Sequence, residues 1–451
     1  MWIVQFLKKP AMALIFGLLS CVGTAQAQLR SDLHVFSDSF ISPSFEATDK
    51  INYQFIGMSL KSAALSDDTI KMHIDGAVAF GAPLLNYLNI SELYFQNKQS
   101  EHERLFIGRK ILNWSELDTR WNLGLWQPLF QWNPLNPEQQ GLTGLFWQAE
   151  REKYAITVFA SPIFIPNQGP AFEIVNGQFV QGNPWFRRPP ESVQIFSETT
   201  QVDYKFEKPN ESQVVFQASY GARLTFGIAD NATIQLSYMY KPSNELALGY
   251  SGVLDTSTLH GVVDLKPQVF YHTLSGLDYS QKFEHFRYGL SGVVDRPQKD
   301  LNFDPQWTHP EFSDAYLIGP FIEFTWPGIT FALESLNIYG GEIHEVGDMA
   351  SSDRAPLTMI YPFQQAVKAS LETRFRLRGT QRLSSKLSYT ISDKNDFEYL
   401  EWNTNYRFSS LWSIYSELEL VRAGDLTAGN QNEIAQYRND DRFMLGVSYV
   451  F

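Results

Sequence analysis

The sequence has little of several things that common protein classes need. Its 451 residues include a single cysteine, Cys21, and no run of about 18 apolar residues follows residue 28. These shortages exclude an internal disulfide framework and a spanning helix in the rest of the chain. The motifs H-E-x-x-H, G-x-x-x-x-G-K-[ST] and G-x-S-x-G are absent, and the eight histidines form no i, i+2 or i, i+4 pair. We therefore expect that the protein has no metal site and no cofactor and that it is not an enzyme.

The amino end has the layout of a secretory signal. Two lysines precede an apolar stretch over 11–22, and Ala25, Gln26 and Ala27 form an A-x-A cleavage site. We expect export through the Sec pathway and cleavage after Ala27, which divides the chain into a signal at 1–27 and one domain at 28–451. An uncleaved anchor and a lipoprotein attached through Cys21 are the alternatives. The cleaved chain keeps 34 basic and 49 acidic residues, a net charge of −15 that argues against nucleic acid.

The pattern that is present has a period of two. Aromatic residues make up 15% of the chain, and apolar residues alternate with polar ones over Thr69–Phe80 and again over Val214–Phe226. Such alternation predicts antiparallel strands throughout, 18 to 20 in number. The twenty candidate strands are 30–41, 49–62, 68–80, 86–97, 103–111, 141–149, 153–160, 196–206, 212–227, 232–242, 255–264, 268–279, 284–295, 314–325, 329–340, 366–378, 382–392, 396–408, 411–421 and 442–451.

The connections between these strands are unequal. The five longest, at 112–140, 161–195, 296–313, 341–365 and 422–441, all follow odd-numbered candidates and so lie on one side. Long loops on one side and short turns on the other are typical of bacterial outer-membrane barrels. The chain also ends on Phe451, as strands read by the barrel assembly machinery do. We therefore predict an all-β transmembrane antiparallel barrel of about 18–20 strands in the outer membrane of a Gram-negative-type bacterium. Its loops would be extracellular and its turns periplasmic, and its outer face would contact outer-membrane lipid.

Alternation also assigns charged residues to the inside of this barrel. On 366–378 the apolar positions face lipid, so the basic positions face the lumen. The predicted lumen-lining, solute-contacting residues are Lys368, Glu372, Arg374, Arg376, Arg378, Arg382, Lys386, Glu401, Glu417 and Glu419. The glutamates are expected to face Arg407 and the basic strands. Two interpretations stay open: a ladder of ion pairs that braces the wall, and a charged lining that orients ions or anionic solutes.

The segment from Ile107 to Pro137 is too aromatic for an exposed loop, because large exposed apolar patches are uncommon. We expect it to fold inward and narrow the lumen, or to pack over the mouth. Its candidate constriction residues are Trp114, Asp118, Arg120, Trp121, Trp126 and Trp132. The stretch GRKILNW, followed by ELD and NP, resembles the G-R-[QK]-x-x-x-W segment of alginate-export-like and related porin-type barrels, although Ser115 stands where that pattern usually has glycine. The resemblance implies a porin-type barrel and no particular substrate.

These patterns favour passive passage of small hydrophilic or charged solutes through a porin-like channel, since barrels of 16–18 strands already leave an aqueous pore. One alternative is a structural or surface-recognition barrel whose lumen is plugged. A barrel hydrolase, with a Ser, His and acid brought together from distant strands, is a further alternative. A homotrimer is compatible with a porin-type barrel, but no interface pattern in the sequence indicates one.

Overall fold

The structure is a computed structural model. It describes residues 29–41, 51–62, 69–180, 183–195, 198–255, 257, 260–299, 301–304, 306–347, 361–392, 394, 396–424, 434–438 and 440–451. The predicted signal at 1–27 lies outside these residues and stays a prediction. In the described part of the chain, no helix is long and apolar enough to cross a membrane.

Eighteen antiparallel strands form one closed sheet among the described residues. Each pairs with the next along the chain, and the last pairs with the first. Numbered along the chain, the barrel strands are β1 (Leu29–Phe40), β2 (Asn52–Ser62), β3 (Ile70–Ala79), β4 (Tyr87–Lys98), β5 (Glu103–Lys110), β8 (Leu142–Glu150), β9 (Tyr154–Ser161), β14 (Ser219–Ala229), β15 (Ala232–Pro242), β18 (Tyr271–Lys282), β19 (Phe286–Pro297), β21 (Ala315–Trp326), β22 (Ile329–Gly340), β24 (Gln365–Arg376), β25 (Arg382–Ser392), β26 (Phe397–Arg407), β27 (Trp412–Ala423) and β28 (Arg442–Val450). The predicted barrel of 18 to 20 strands is confirmed.

The connections contain the remaining elements. Their strands are β6 (Leu129–Phe130), β7 (Glu138–Gln139), β10 (Glu173–Val175), β11 (Gln178–Val180), β12 (Ser192–Ile195), β13 (Glu198–Phe206), β16 (Ala247–Asp255), β17 (His260–Gln268), β20 (His309–Phe312) and β23 (Ile343–Val346). Their helices are α1 (Glu116–Trp121) and α2 (Glu211–Val215), with 3₁₀ turns at Pro83–Leu85 and Ile434–Tyr437.

Two predicted strands are not part of the barrel. The candidates at 196–206 and 255–264 correspond to β13 and β17, which pair with each other in parallel inside a small sheet of order β12-β13-β17-β16. Val202, Tyr204 and Leu265 of that sheet are buried in a separate hydrophobic cluster. A half-buried strand gives the same period of two whether it covers such a cluster or crosses a membrane, so the pattern could not separate the two cases.

Long and short connections lie at opposite ends of the barrel, as the sequence predicted. We call the end with the two- to seven-residue turns, such as 327–328 and 377–381, the turn rim, and the other end the loop rim. Because the two misassigned candidates are an even number, removing them does not change whether a later connection follows an odd or an even strand. The later connections therefore lie on the side that was predicted. The connection after β9 is longer than predicted, at 162–218, and 243–270 is a sixth long connection that the sequence analysis missed.

The outer and inner faces of the wall alternate along each strand. On β24 and β25 the exposed apolar residues Leu371, Phe375 and Leu387 point outward. Between them, Glu372 is paired in register with Lys386 on the inward face. Exposed aromatic residues such as Trp326 and Trp412 lie at the turn rim, and Tyr316 and Tyr339 lie at the loop rim, the two levels at which amphipathic rings meet a membrane interface.

Closure depends on the pairing of β1 with β28, which runs from Asp32 and Val450 to Phe40 and Arg442. Arg442 reinforces this seam from the inside. Its Nε donates to Asp38 of β1 at 2.7 Å, and its Nη1 donates to Glu417 and Glu419 of β27 at 2.8 and 2.9 Å. The Arg442 side chain is only 4% exposed, so a buried cation on β28 holds carboxylates from the strands on either side of it, β1 and β27.

We expect Arg442→Met to destabilise the barrel by about 3–5 kcal/mol, because it leaves the buried carboxylates Asp38 and Glu419 without their cation. The measurement is the temperature at which the folded, faster-migrating band is lost when unboiled samples are heated before electrophoresis. Arg422→Gln is the matched control, since Arg422 is 82% exposed and 3.6 Å from Glu398, and its change should stay within about 0.5 kcal/mol. Equal melting of both variants would contradict the role of the seam.

Candidate functional site

The connection 111–141, which we call the plug, folds into the barrel instead of covering it from outside. Its helix α1 begins against the wall: Ser115 Oγ and the Glu116 N–H both donate to Asp278 Oδ1 of β18, at 3.3 and 3.2 Å. A carboxylate at a helix N-terminus meets free N–H groups and the positive end of the helix dipole. The N-cap residue, Ser115, is extended and its side chain makes no hydrogen bond to the helix. Asp278 of the wall therefore caps the helix in its place.

The tryptophans fix the plug through packing. Trp114 and Trp126 are stacked at 5.9 Å with an interplanar angle of 6°, and both are buried. Trp121 packs edge-on against Phe363 at 6.0 Å. Trp132 is half-buried and donates from Nε1 to the Leu85 carbonyl at 3.2 Å. The inward-folding segment predicted from aromatic content thus has its rings against the inner wall, where they remove apolar surface from water.

On one side of the lumen the plug is held by a charged cluster. Arg120 donates to Glu334 of β22 at 3.0 Å and to Glu323 of β21 at 3.3 Å, and its guanidinium lies 3.6 Å from the Phe321 ring centroid. Lys368 of β24 pairs with Glu334 at 2.8 Å and donates to the Arg120 carbonyl. The sequence prediction placed Lys368 in contact with solute, but here it contacts the plug.

Further round the same wall the plug reaches β26 and β27. Asn133 Nδ2 donates to both oxygens of Glu419, at 2.9 and 3.0 Å. Asn136 Nδ2 donates to Glu401 Oε1 at 3.1 Å. The plug's Glu138 also accepts from Asn89 Nδ2 of β4 at 2.8 Å. Because β4 and β22 are the fourth and thirteenth strands of eighteen, contacts to both mean that the plug crosses the lumen. The sequence predicted a narrowing, and the structure shows a barrier held on both walls.

The connection 162–218, which we call the lid, lies over the mouth at the loop rim. Trp185 is buried and packs against Phe40 at the end of β1, with ring centroids 5.2 Å apart. Arg187 forms an ion pair with Asp440 and donates to the Gln436 carbonyl at 2.9 Å. The lid starts at the seventh barrel strand, whereas these partners adjoin the first and eighteenth. It therefore spans most of the mouth.

Below the plug, at the turn rim, the lumen holds two adjoining cavities of about 620 and 300 Å³. We call them together the vestibule. They share Glu372, Ser384 and Asn405 as lining residues. Their other polar lining residues are Arg30, Arg374, Arg376, Arg382, Ser385, Lys386, Asn403, Thr404, Arg407, Ser413, Tyr415, Ser416 and Glu417. Arg378, predicted on a strand, instead lies in the exposed turn 377–381, because β24 ends at Arg376.

Three vestibule arginines stand directly opposite one another. Arg376 is the register partner of Arg382, and Arg382 is the partner of Arg407. Within the described residues neither Arg376 nor Arg382 forms an ion pair, and Arg407 donates only to the carbonyls of its own turn, Ser409 and Ser410. Like charges directly opposite on neighbouring strands are destabilising. This row therefore carries positive charge that the wall does not neutralise.

Of the predicted glutamates, Glu372 pairs with Arg374, and the other three do not pair with the predicted arginines. Glu417 and Glu419 both pair with Arg442, whereas Glu401 accepts from Asn136 and from Ser388 Oγ at 3.1 Å. The expectation that they face Arg407 across the wall is wrong, because the plug and β28 reach them first. Arg442 was missed, although the outward alternation of Phe443 and the residues that follow it would have assigned its inward face.

The described residues bring no three His, Cys, Asp or Glu side chains together in a way that could hold a metal ion. The candidate site has three components: the plug across the lumen, the lid across the mouth, and the basic vestibule at the turn rim. Of these, the vestibule is the part whose charge is open to a solute.

Comparison with known proteins gives only structural neighbours. No family model matches the chain, and no curated protein does. Similar solved structures include Pseudomonas aeruginosa OccK3 (OpdO), at 12% identity and a TM-score of 0.45 over 94% of this chain and 96% of that one. Others are P. aeruginosa OprD, at 12% and 0.43 over 95% and 97%, and Acinetobacter baumannii OccAB2, at 11% and 0.46 over 94% and 98%. Because the identities and TM-scores are this low, we take the fold from the strand pairing of this chain alone. No residue of these structures is used to assign a role to a residue of this chain.

Docking of the plug should depend on pH through Asp118. Its carboxylate accepts from the Leu125 and Trp126 N–H groups at 3.1 and 3.2 Å, but burial raises the pKa of the Asp118 carboxyl from its usual 3.8 to about 6. The docked plug thus binds this proton more tightly than an undocked plug would. The contribution of Asp118 to docking is complete below its ordinary pKa and is lost as the pH rises through about 6.

We therefore expect conductance in planar bilayers to be lower at pH 5 than at pH 7.5, by several-fold. Asp118→Asn cannot ionise, so it should flatten the profile over this interval even if its weaker acceptance raises conductance overall. Thr119→Ser, at the exposed neighbouring position, is the control and should keep the wild-type slope. An unchanged slope in Asp118→Asn would assign the pH dependence to other groups.

Proposed function

We propose that this protein is a porin-like channel in the outer membrane of a Gram-negative-type bacterium, through which small hydrophilic solutes, preferentially anions, pass by diffusion. The observation that carries the proposal is the row Arg376, Arg382 and Arg407 in the vestibule, whose charge no carboxylate in the described wall neutralises. Rings of charged side chains of one sign select ions of the opposite sign in pores. An interior brace would need paired charges instead.

The rest of the proposal keeps what the sequence led us to expect. The apolar outer face contacts outer-membrane lipid, and the signal at 1–27 directs Sec export. The strand that ends at Phe451 is read by the barrel assembly machinery. A homotrimer is compatible with this class of barrel, and no cofactor or catalytic role is proposed. We also propose the grouping with alginate-export-like barrels. It is supported by the position of the GRKILNW stretch at the start of the plug, where Gly108 adopts a φ of 127° and Arg109 donates to the carbonyl of Gly141, at the end of the plug, at 3.1 Å.

One observation favours the alternative of a plugged structural or recognition barrel. The plug is hydrogen-bonded to β22 and, on the far wall, to β4, and the lid is bonded across the mouth. The two functions differ in the intact protein: a channel conducts with its plug in place, whereas a plugged barrel conducts only after residues 112–140 are deleted. No feature of the described residues favours the hydrolase.

The test of the channel is made with purified, heat-modifiable protein in planar bilayers under a KCl gradient. We expect a reversal potential that reports chloride preference. Arg376→Gln with Arg382→Gln should lower the ratio of chloride to potassium permeability several-fold. It should also leave stability unchanged or raise it by about 0.2–1 kcal/mol, since it removes repulsion across β24 and β25. Arg151→Gln with Arg422→Gln is the control of equal charge change, since these arginines lie outside the row and pair with Glu103 and Glu398. If folded wild-type protein shows no conductance at any voltage, the proposed channel function is wrong.

A further inference from the structure

A buried lysine joins the plug to the wall. Lys241, near the loop-rim end of β15, is fully buried. Its Nζ lies 3.4 Å from the Leu125 carbonyl of the plug, 2.8 Å from Asn244 Oδ1 and 3.3 Å from His272 Nε2 of β18. An ammonium group removed from water is costly unless its three donors find acceptors. One of these three acceptors exists only while the plug is docked.

The wall supports this lysine from behind. Because the Lys241 ammonium can only donate, His272 Nε2 accepts and the ring proton lies on Nδ1, which donates to Asp295 Oδ1 of β19 at 2.9 Å. The other Asp295 oxygen accepts from the Tyr361 hydroxyl at 2.6 Å. Lys241 is thus held in one position by three neighbouring strands and a loop-rim residue, and its donor toward Leu125 is preorganised.

The segment that follows Lys241 binds both the plug and the lid. Asn244 Nδ2 donates to the plug carbonyls of Gly124 and Leu125 at 2.6 and 3.2 Å. The Asn244 carbonyl accepts from the Asn167 N–H of the lid at 2.8 Å. Asn167 Oδ1 in turn accepts from the Leu129 N–H of the plug at 2.7 Å. The three segments therefore share one hydrogen-bonded junction, and movement of the plug breaks bonds to the lid.

We propose that Lys241 and Asn244 are positioning residues that hold the plug and the lid in a single docked state and so set how often the channel opens to a large conductance. The inference rests on the proposed channel. The junction lies near the loop rim and contains none of the vestibule arginines, so the two residues control opening without contacting the groups that choose the solute. The plug and the lid then leave the lumen together.

The test compares Lys241→Met and Asn244→Ala with the wild-type protein, and uses the exposed Lys282→Met on β18 as the matched lysine control. Each variant is made with and without Leu125→Cys, a reporter at a buried plug position. The readouts are the probability of large-conductance events, the reversal potential, and the rate at which a water-soluble thiol reagent labels the cysteine.

We expect both variants to raise the labelling rate and the large-conductance probability by about tenfold, since Lys241→Met removes one of the two donors to the Leu125 carbonyl and Asn244→Ala removes the other together with the donor to Gly124. The reversal potential should not change, and Lys282→Met should behave as wild type. If Lys241→Met does not fold by the heat-modifiability assay, Asn244→Ala decides alone, since it buries no new apolar group. Folded variants with wild-type labelling would overturn the inference. Faster labelling in a protein that never conducts would support the positioning role of Lys241 and Asn244 but would contradict the proposed channel.

Discussion

The pairing of β1 with β28 is the contact on which everything else in the structure depends. Backbone N–H and C=O groups inside a lipid layer have no partner except one another, so a sheet that crosses it must have no free edge. Closure also creates the inner surface on which the plug rests. Arg442 makes this dependence specific, because the Glu419 that it holds also accepts from Asn133 of the plug. The seam and the plug therefore share a carboxylate.

The plug accounts for most of the charge at the middle of the barrel. Glu334, Lys368, Glu401 and Glu419 all point inward, and each contacts either a plug side chain or a plug carbonyl. A lumen that is charged in sequence is thus largely paired in space. The free charge remains at the turn rim, where the plug does not reach. In the proposed channel, opening and solute choice are therefore physically separate, because the first would depend on the contacts of the plug and the second on the arginine row.

Much of the fold could be predicted because a barrel wall repeats one simple rule. Outward positions such as Leu371 and Phe375 alternate with inward positions such as Glu372 along every strand, and this alternation is visible without any partner. The two failures, β13 and β17, arose where the same rule serves a small hydrophobic cluster in the loops. A period of two shows that one face of a strand is buried. It does not show whether that face meets lipid, the lumen or another part of the protein.

The candidate site was predictable only as far as the facing of single residues. Alternation placed Arg376 and Arg382 inside, but whether a glutamate neutralises them depends on register and on a loop that returns from over two hundred residues away. Lys241 shows the same limit. The outward positions Tyr238 and Tyr240 imply that it faces inward, yet its partners Leu125 and His272 come from a connection and from another strand. Facing is a local property of a strand, whereas pairing belongs to the closed barrel and its contents. A charged inward residue therefore becomes a candidate for solute contact only once the plug is shown to leave it free, and the arginine row meets that condition where Lys368 and Glu419 do not.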